Sequence, residues 1–301
     1  MVEQVPAAAP PVRAPVDRVT LAAFGVAVVV LGANWVGVRF SNRELPPFWG
    51  ASLRFFAASA LLFAVIAARG IALPRGRALT GALLYGVLQF GANFGLLYWA
   101  LVSVPAGMTS VVFATLPLMA LFVSAAAGFE RIRVQSVVGA LVAIVGLGVI
   151  FAEQLTGAVP VAGVAAILAG ALVAALVLVL LKSFPRTHPI ASNAVGTGTG
   201  AVILLAASVV LGEPHALPQL PATWIAVAYL VASTMLAFSL LTYVVIRWTP
   251  SASSYAAVLS PIVTVVLATA IAGEVFGPLF FAGAAVVGIG VYLGAIAPTA
   301  A

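Results

Sequence analysis

Long apolar stretches follow one another from Val19 onward, and the short loops between them hold most of the charged residues. As a helix, a stretch of about 20 residues crosses the roughly 30 Å of hydrocarbon in a bilayer. The stretches are about twice as long as a barrel strand and do not alternate apolar with polar residues, so they predict helices. The predicted spans are 19–40, 48–68, 79–101, 105–127, 134–151, 159–181, 190–211, 222–246, 250–272 and 278–296.

Composition excludes a soluble protein. Of the 301 residues, 64% are hydrophobic and 7% are charged, against roughly 45–50% and about 25% in soluble domains. Cysteine is absent, which excludes a disulfide framework and a cysteine nucleophile. His188 and His215 both lie in loops without a cluster of metal ligands. We therefore expect no metal site, no cofactor and no enzymatic activity.

The basic residues predict the orientation of the chain in the membrane. With a cytoplasmic N-terminus, ten of the 13 basic residues fall inside and only Arg39 and Arg43 lie at outer loops. Such a bias is typical of a multi-pass protein of a cell membrane, here a bacterial inner membrane, with both termini cytoplasmic. It also accounts for the net charge of +6, so nucleic acid is not an expected partner. The ten inner residues are Arg13, Arg18, Arg69, Arg75, Arg77, Arg131, Arg133, Lys182, Arg186 and Arg247.

An internal repeat divides the chain into two halves. Four residues of the first half recur after the same interval of 144 positions: Pro117, Glu130, Gly139 and Gly146 as Pro261, Glu274, Gly283 and Gly290. Each half holds five predicted helices, and because five is odd the second half enters the membrane from the opposite face. The sequence thus predicts an all-α integral membrane protein of ten transmembrane helices, built as two inverted five-helix repeats over residues 19–152 and 159–297. Residues 1–18, rich in Pro and Ala, predict a disordered cytoplasmic tail.

Several short motifs carry a resemblance to a known family. They are Asn34-Trp35-Val36, Leu45-Pro46-Pro47, Leu53-Arg54-Phe55, Tyr98-Trp99-Ala100-Leu101, Pro117 and Gly273-Glu274. Over roughly residues 20–297 the chain resembles the EamA family of the drug/metabolite transporter superfamily. The resemblance implies ten helices, cytoplasmic termini, a central cavity between the halves, and export of amino acids, other metabolites or toxic compounds.

Two amides in the third span are the first candidates for contact with a solute. Gln89 and Asn93 are four residues apart, near mid-depth and on one helix face, with Phe90 and Phe94 beside them. Neutral amides can hydrogen-bond a polar solute without an intramembrane charge, although amides also join helices to each other. Further candidates for the same cavity, which equally suit helix packing, are Asn34, Trp35, Thr115, Ser233, Thr234, Tyr255 and Ser260.

Arg54 is the basic residue inside a predicted span, about two turns from the outer end of the second helix. A charge facing lipid there costs at least about 2.5 kcal/mol at full depth. The side chain therefore either reaches the outer interface or a loop carboxylate such as Glu44, or it lies in the cavity and attracts anionic groups. All seven acidic residues fall in the tail or near helix ends, so no carboxylate is predicted at mid-depth. Glu130 and Glu274, which precede the fifth and tenth helices, suit capping and packing there, with ion coupling or gating as the alternative.

Proline and glycine positions predict bending and close packing. Pro117 and Pro261 lie near the middle of the fourth and ninth spans, where each is expected to kink its helix and act as a hinge. Glycines seven residues apart in the fifth and tenth spans are expected to let these helices pack closely. The glycine-rich run at residues 196–200 is in an apolar span without a preceding strand, so we reject nucleotide binding there.

Together these features predict a secondary transporter that moves small metabolites, amino acids or amphipathic compounds by alternating access. Its expected partners are a small-molecule substrate and membrane lipid. A non-transporting membrane scaffold or sensor is the alternative, because such a protein needs no polar cavity. The sequence leaves the substrate, the coupling ion and the oligomeric state open.

The predicted topology is tested with single cysteines in this cysteine-free chain. We expect Arg75→Cys, Arg131→Cys and Arg186→Cys to react with an impermeant thiol reagent from the cytoplasmic side. Arg43→Cys and Glu213→Cys should react from the outside. The opposite pattern at two or more of these sites would contradict the inverted repeat.

Overall fold

The structure is a computed structural model and describes residues 17–104, 109, 112–150, 161–272 and 278–296. Within these residues every regular element is a helix and no strand occurs. The helices are α1 (Arg18–Ser41), α2 (Pro47–Arg69), α3 (Arg77–Ser103), α4 (Leu116–Ala126), α5 (Val134–Ile150), α6 (Val161–Ser183), α7 (Pro189–Val210), α8 (Pro221–Arg247), α9 (Pro250–Ser254 and Ala256–Ala272, on either side of Tyr255) and α10 (Pro278–Val291, continued by a π-helical segment at Tyr292–Ile296).

Six of the described helices, α1, α2, α3, α6, α7 and α8, are long and apolar enough to cross a membrane. Shorter apolar helices cover Leu116–Ala126, Val134–Gly146, Ala252–Thr264 and Phe281–Gly294. The fold is thus all-helical with several membrane-spanning helices, whereas ten crossings and the side of the termini stay predictions. The predicted tail, residues 1–18, lies almost wholly outside the described residues.

The helices begin at residues whose chemistry suits a helix start. A carboxylate oxygen of Asp17 accepts a hydrogen bond of 2.7 Å from the backbone N–H of Thr20, which caps α1. Pro47, Pro189 and Pro221 occupy the first turns of α2, α7 and α8. Proline costs no helical hydrogen bond there, because the first N–H groups of a helix have no partner within it. These prolines explain why the predicted starts agree with the observed ones to within a residue.

The exterior of the bundle is apolar. Val161 and Val210 are 84% and 83% exposed, and Ile225 and Val102 are 69% and 68% exposed. An exterior covered by many such side chains is stable where the surrounding solvent is hydrocarbon. The exposed aliphatic residues therefore face lipid, and the polar side chains discussed below are on the inside.

Helices of the two halves of the chain pair with each other. The most extensive contacts join α2 to α7 and α5 to α10. Further contacts join α1 to α8 and α3 to α6, α1 to α9 and α4 to α6, and α2 to α8 and α3 to α7. Each helix of one half has a counterpart five places along in the other half, so that α1 corresponds to α6 and α2 to α7. Replacing every helix by its counterpart gives the same set of pairs again. The pairing thus has the symmetry that two related five-helix units would give.

Glycines bring α5 and α10 into close contact. A Cβ added to Gly139 would lie 2.5 Å from the backbone nitrogen of Gly294 and 2.8 Å from the carbonyl oxygen of Gly290. A Cβ on Gly146 would lie 2.9 Å from the carbonyl oxygen of Gly283. Such distances exclude any side chain, so the predicted close packing of these two helices is confirmed.

The glycine-rich run at residues 196–200 lies within helix α7 and packs against α3. A Cβ on Gly196 would lie 2.8 Å from Cδ1 of Tyr85, and one on Gly200 would meet the backbone of Phe90 at 2.8 Å. Its glycines therefore make room for α3, whose middle turn at Gly86–Asn93 is π-helical.

A carboxylate from the second half of the chain caps α2. Glu213, in the connection between α7 and α8, accepts hydrogen bonds from the backbone N–H groups of Phe48 at 3.2 Å and Trp49 at 2.8 Å. The indole of Trp49 in turn donates to the carbonyl oxygen of Ala216 at 2.7 Å. An anion at a helix start satisfies N–H groups and interacts favourably with the helix dipole.

A carboxylate from the first half caps α8 in the same way. Glu44, between α1 and α2, accepts hydrogen bonds from the backbone N–H groups of Gln219 at 3.3 Å and Leu220 at 3.1 Å. Hydrogen bonding with the Thr223 side chain, and then with Leu220 and Gln219, holds the pKa of the Glu44 carboxyl below its usual value. The ends at which α2 and α8 begin are thus cross-linked by two reciprocal caps.

The glycine contact is tested with two alanine substitutions in the same helix. Gly290→Ala should lower the thermal unfolding midpoint in detergent, because its Cβ would lie 2.7 Å from the carbonyl oxygen of Gly139. Overpacking of this kind typically costs about 1–3 kcal/mol. Gly288→Ala is the control, because nothing lies within 4 Å of its added Cβ. Equal midpoints for the two variants would contradict the close packing of α5 and α10.

The cap on α8 is tested by its pH dependence. Since folding lowers the pKa of Glu44 from its ordinary value of 4.5, its stabilisation is fully present above that value and is lost as the pH falls through the lower, folded-state pKa. Glu44→Gln should therefore unfold at a lower temperature than the wild type at pH 7, and the difference should shrink under acidic conditions. A difference that stays constant down to pH 3 would show that the charge of Glu44 is not involved.

Candidate functional site

A cavity of about 130 Å³ lies at the centre of the bundle, between α1, α2, α3, α4, α6, α8 and α9. Most of its lining side chains are apolar. Its polar lining residues are Asn34, Arg54, Gln89, Asn93, Tyr98, Ser253, Ser254 and Ser260. A largely apolar cavity with a few convergent polar groups is the usual form of a small-molecule site.

The guanidinium of Arg54 is fully buried at the wall of this cavity. Its Nε and Nη2 donate to the hydroxyl of Thr234 at 3.2 and 2.9 Å, and its Nη1 donates to the hydroxyl of Tyr98 at 2.9 Å. Its central carbon lies 4.7 Å from the ring centre of Phe55 and 5.2 Å from that of Phe94. Groups from α2, α3 and α8 thus fix its position.

Of the two positions that the sequence left open for Arg54, the outer interface or Glu44 is not the one observed. Arg54 is buried, and the Glu44 carboxylate instead caps α8. The physical reason is that the helix start offers Glu44 two N–H groups nearby, while Thr234 and Tyr98 offer the guanidinium two acceptors within the bundle. The alternative position, in the cavity, is the one observed.

Gln89 and Asn93 both line the cavity, from the π-helical segment of α3. Asn93 is 2% exposed, and its Oδ1 has no hydrogen-bond partner in the described part of the chain. Gly170 of α6 faces this atom, since a Cβ there would lie 3.2 Å from it. The oxygen is therefore enclosed between α3 and α6, while Asn93 as a residue contributes to the cavity lining.

The other predicted residues fall into two groups. Asn34, Trp35 and Ser260 line the cavity. The hydroxyl of Thr234 accepts hydrogen bonds from the guanidinium of Arg54. The hydroxyl of Ser233 donates to the Oδ1 of Asn34 at 2.5 Å. These two residues therefore position lining side chains and are not lining residues themselves.

Thr115 and Tyr255 lie away from the cavity. The hydroxyl of Thr115 donates to the carbonyl oxygen of Val112 at 2.9 Å, within its own turn. Tyr255 is buried against Gly294 of α10, and its hydroxyl has no hydrogen-bond partner among the described residues. Their predicted place in the cavity lining is not observed, because the turns at both residues direct the side chains elsewhere.

The two predicted hinge prolines differ from each other. Pro117 is in the first turn of α4, after a turn at Ala114 and Thr115, so it does not bend a continuous helix as predicted. Pro261 lies inside the second segment of α9, as predicted, and that helix is also interrupted six residues earlier at Tyr255. A hinge role for either proline stays a prediction.

Sequence reasoning missed several lining residues of α3. Leu97 and Leu101 continue the stripe of Gln89 and Asn93 at intervals of four residues, and all four line the cavity. Tyr98 lines it one residue further along and binds Arg54. Extending the amide stripe by helical spacing would have found the leucines, whereas the contact of Tyr98 with Arg54 requires the three-dimensional fold.

Comparisons with known proteins agree with this architecture. The sequence profile of the EamA-like transporter family matches residues 19–152 and 161–295. A relative from Escherichia coli (strain K12), described as the uncharacterized inner membrane transporter YedA, is 29% identical over 249 residues, which cover 82% of this chain and 80% of the relative. An uncharacterized transporter from Buchnera aphidicola subsp. Schizaphis graminum is 24% identical over 126 residues, or 41% of this chain and 42% of its own length.

A solved structure, described only as the crystal structure of a protein, matches with a TM-score of 0.80. The match covers 92% of this chain and 96% of that chain at 20% sequence identity. At this identity the likeness shows the fold alone.

A lipid-facing helical bundle with a central cavity that holds a few polar side chains, together with relatives described as inner membrane transporters, defines a multi-pass transporter of the cell membrane. The two profile matches cover most of the sequence. The chain belongs to the EamA-like transporter family.

Proposed function

We propose that this protein is a secondary transporter that carries a small metabolite, amino acid or amphipathic compound across the membrane by alternating access. The observation that carries the proposal is the central cavity, whose lining includes the neutral amides of Gln89 and Asn93 and the buried guanidinium of Arg54. Transport requires a site near mid-depth that is reached from either side in turn. Family membership supports a permease without enzymatic activity.

The proposed architecture is ten transmembrane helices in two inverted repeats, with both termini cytoplasmic. The exchange symmetry of the helix pairs supports it, because two related units facing opposite ways would give such pairs. The excess of basic residues in the loops assigned to the cytoplasm supports the orientation. Inverted repeats provide two mirror-related states, one open to each side, which alternating access needs.

The lining of the cavity suits a solute with one polar end and an apolar body. Arg54, Gln89 and Asn93 lie on α2 and α3, while Leu178 of α6 and Leu241 of α8 contribute apolar surface. The alternative, a scaffold or sensor without transport, gives no reason for a cavity with an arginine and two amides in its lining.

The proposal is tested by a ligand screen followed by flux measurements. Purified protein is screened for thermal stabilisation by amino acids, organic acids and amphipathic compounds, since a ligand of the folded state raises the unfolding midpoint. We expect at least one stabilising compound to enter proteoliposomes in a protein-dependent manner. Stabilisation without flux of any compound would favour the sensor and contradict the transporter.

The site is tested with variants of α3. Asn93→Leu and Gln89→Leu should each weaken apparent affinity for the transported compound about fivefold, because one net hydrogen bond contributes about 1 kcal/mol. The double variant should be less than additive if both amides hold one solute. Thr115→Ala is the matched control, since Thr115 bonds only within its own turn and does not line the cavity. Unchanged affinity in both single variants would assign these amides to helix packing.

A further inference from the structure

Arg54 presents a buried charge that no residue described by the structure neutralises. A guanidinium stays protonated in proteins. Its hydrogen-bond partners, Thr234 and Tyr98, are neutral hydroxyls, and its neighbours Phe55 and Phe94 are aromatic rings. Within the described part of the chain, no carboxylate contacts it.

The described carboxylates are all engaged at helix ends. Asp17 caps α1, Glu44 caps α8 and Glu213 caps α2, while Glu130 accepts a hydrogen bond from Ser124 just after α4. A buried charge without a partner is costly. The negative charge that would complete the site is therefore best supplied by a molecule in the cavity.

The donors of Arg54 define how such a molecule would bind. Of the five N–H groups of a guanidinium, the Nε group and one on each of Nη1 and Nη2 are used by Thr234 and Tyr98. Two N–H groups remain, one on each terminal nitrogen. Carboxylate oxygens are strong acceptors for such donors, and guanidinium groups frequently bind carboxylates in a bidentate manner.

The rest of the cavity disfavours a cation. A positively charged solute would bring a second positive charge close to Arg54, and the described lining contains no acidic side chain to receive it. Phe94, Leu97 and Phe113 line the cavity beyond Arg54 and offer apolar contact. The amides of Gln89 and Asn93 in the lining are neutral and do not compensate a positive charge.

From this geometry we infer that the transported solute is a small organic anion, in which a carboxylate binds Arg54 and an apolar or aromatic body fills the remaining cavity. The inference rests on the proposed transport function and specifies its substrate class. Thr234 and Tyr98 are positioning residues, because they hold the guanidinium while its free N–H groups contact the solute. Net negative charge thus distinguishes the substrate from neutral, zwitterionic and cationic compounds of the same shape.

The test uses four compounds with one aromatic body and different charges: phenylacetate, phenylacetamide, phenylalanine and phenethylammonium. Apparent dissociation constants are measured by thermal stabilisation of the full-length protein, and uptake is measured in proteoliposomes. Phenylacetate should bind at least about tenfold more tightly than phenylacetamide, because hydrogen bonds to charged groups are about twice as strong as neutral ones. Phenylalanine should fall between them and phenethylammonium should bind most weakly. Equal binding of acid and amide, or tighter binding of the ammonium compound, would overturn the inference.

Variants separate the charge of Arg54 from its packing. Arg54→Gln should remove the preference for phenylacetate over phenylacetamide, and Arg54→Lys should retain part of it, since lysine keeps the charge without the bidentate fork. Arg43→Gln is the control: Arg43 is exposed beside Phe40 in the loop after α1, so its loss should leave the preference intact. A preference that persists in Arg54→Gln would overturn the inference.

A second variant keeps the inference testable if substitutions of Arg54 do not yield folded protein. Tyr98→Phe removes one acceptor that orients the guanidinium. It should weaken phenylacetate binding severalfold and leave phenylacetamide unchanged, whereas a purely structural role for Tyr98 would weaken both equally and overturn the inference. Suppose that transport requires Asn93 but is limited to neutral or cationic compounds. This result would also overturn the inference, while leaving the transporter proposal intact.

Discussion

Hydrocarbon provides no hydrogen-bond partners, so each backbone N–H and C=O group within a membrane has to find one inside the protein. Helices meet this requirement along their length, but the first N–H groups of each helix remain without partners. In α2, α7 and α8 a proline in the first turn removes one of these groups. In α2 and α8 the carboxylates of Glu213 and Glu44 bind others. The positions of these three prolines and two carboxylates follow from that single constraint.

The same constraint gives significance to the polar groups inside the bundle. Several are paired with each other: Ser233 with Asn34, and Thr234 and Tyr98 with Arg54. These bonds leave two N–H groups of Arg54, a residue that lines the central cavity, without an acceptor among the described residues. Free donors at the wall of a cavity are what a bound polar molecule would complete.

Helix positions were predictable because the length of an apolar run and the residues at its ends are local properties. The predicted start of α7 at residue 190 and the observed start at Pro189 illustrate this. Two local departures were not predictable. First, a turn at Ala114 and Thr115 breaks the helix within a stretch that the sequence predicts as one continuous span. Second, the segment Gly86–Asn93 is π-helical and packs against glycines of α7. Both depend on contacts between helices that the pattern of a single stretch does not contain.

Part of the site was also predictable, because amides at mid-depth in an apolar helix are conspicuous, as with Gln89 and Asn93. The environment of Arg54 was not, since its partners come from α3 and α8, 44 and 180 positions away in the sequence. The sequence left open whether the arginine reached outward or inward. Only the assembled bundle distinguishes these possibilities, because each by itself is compatible with the spacing of Arg54 from the end of α2.

The reciprocal caps have a consequence for the order in which the protein is made. Glu213 follows Phe48 by 165 residues, so the start of α2 lacks its cap until most of the chain has been synthesised. At about 5–20 residues per second, this interval lasts roughly 10–30 s. During that time water has to solvate the exposed N–H groups of α2, which keeps this end of the helix at the membrane surface. The cap forms only after the two halves of the chain have come into contact.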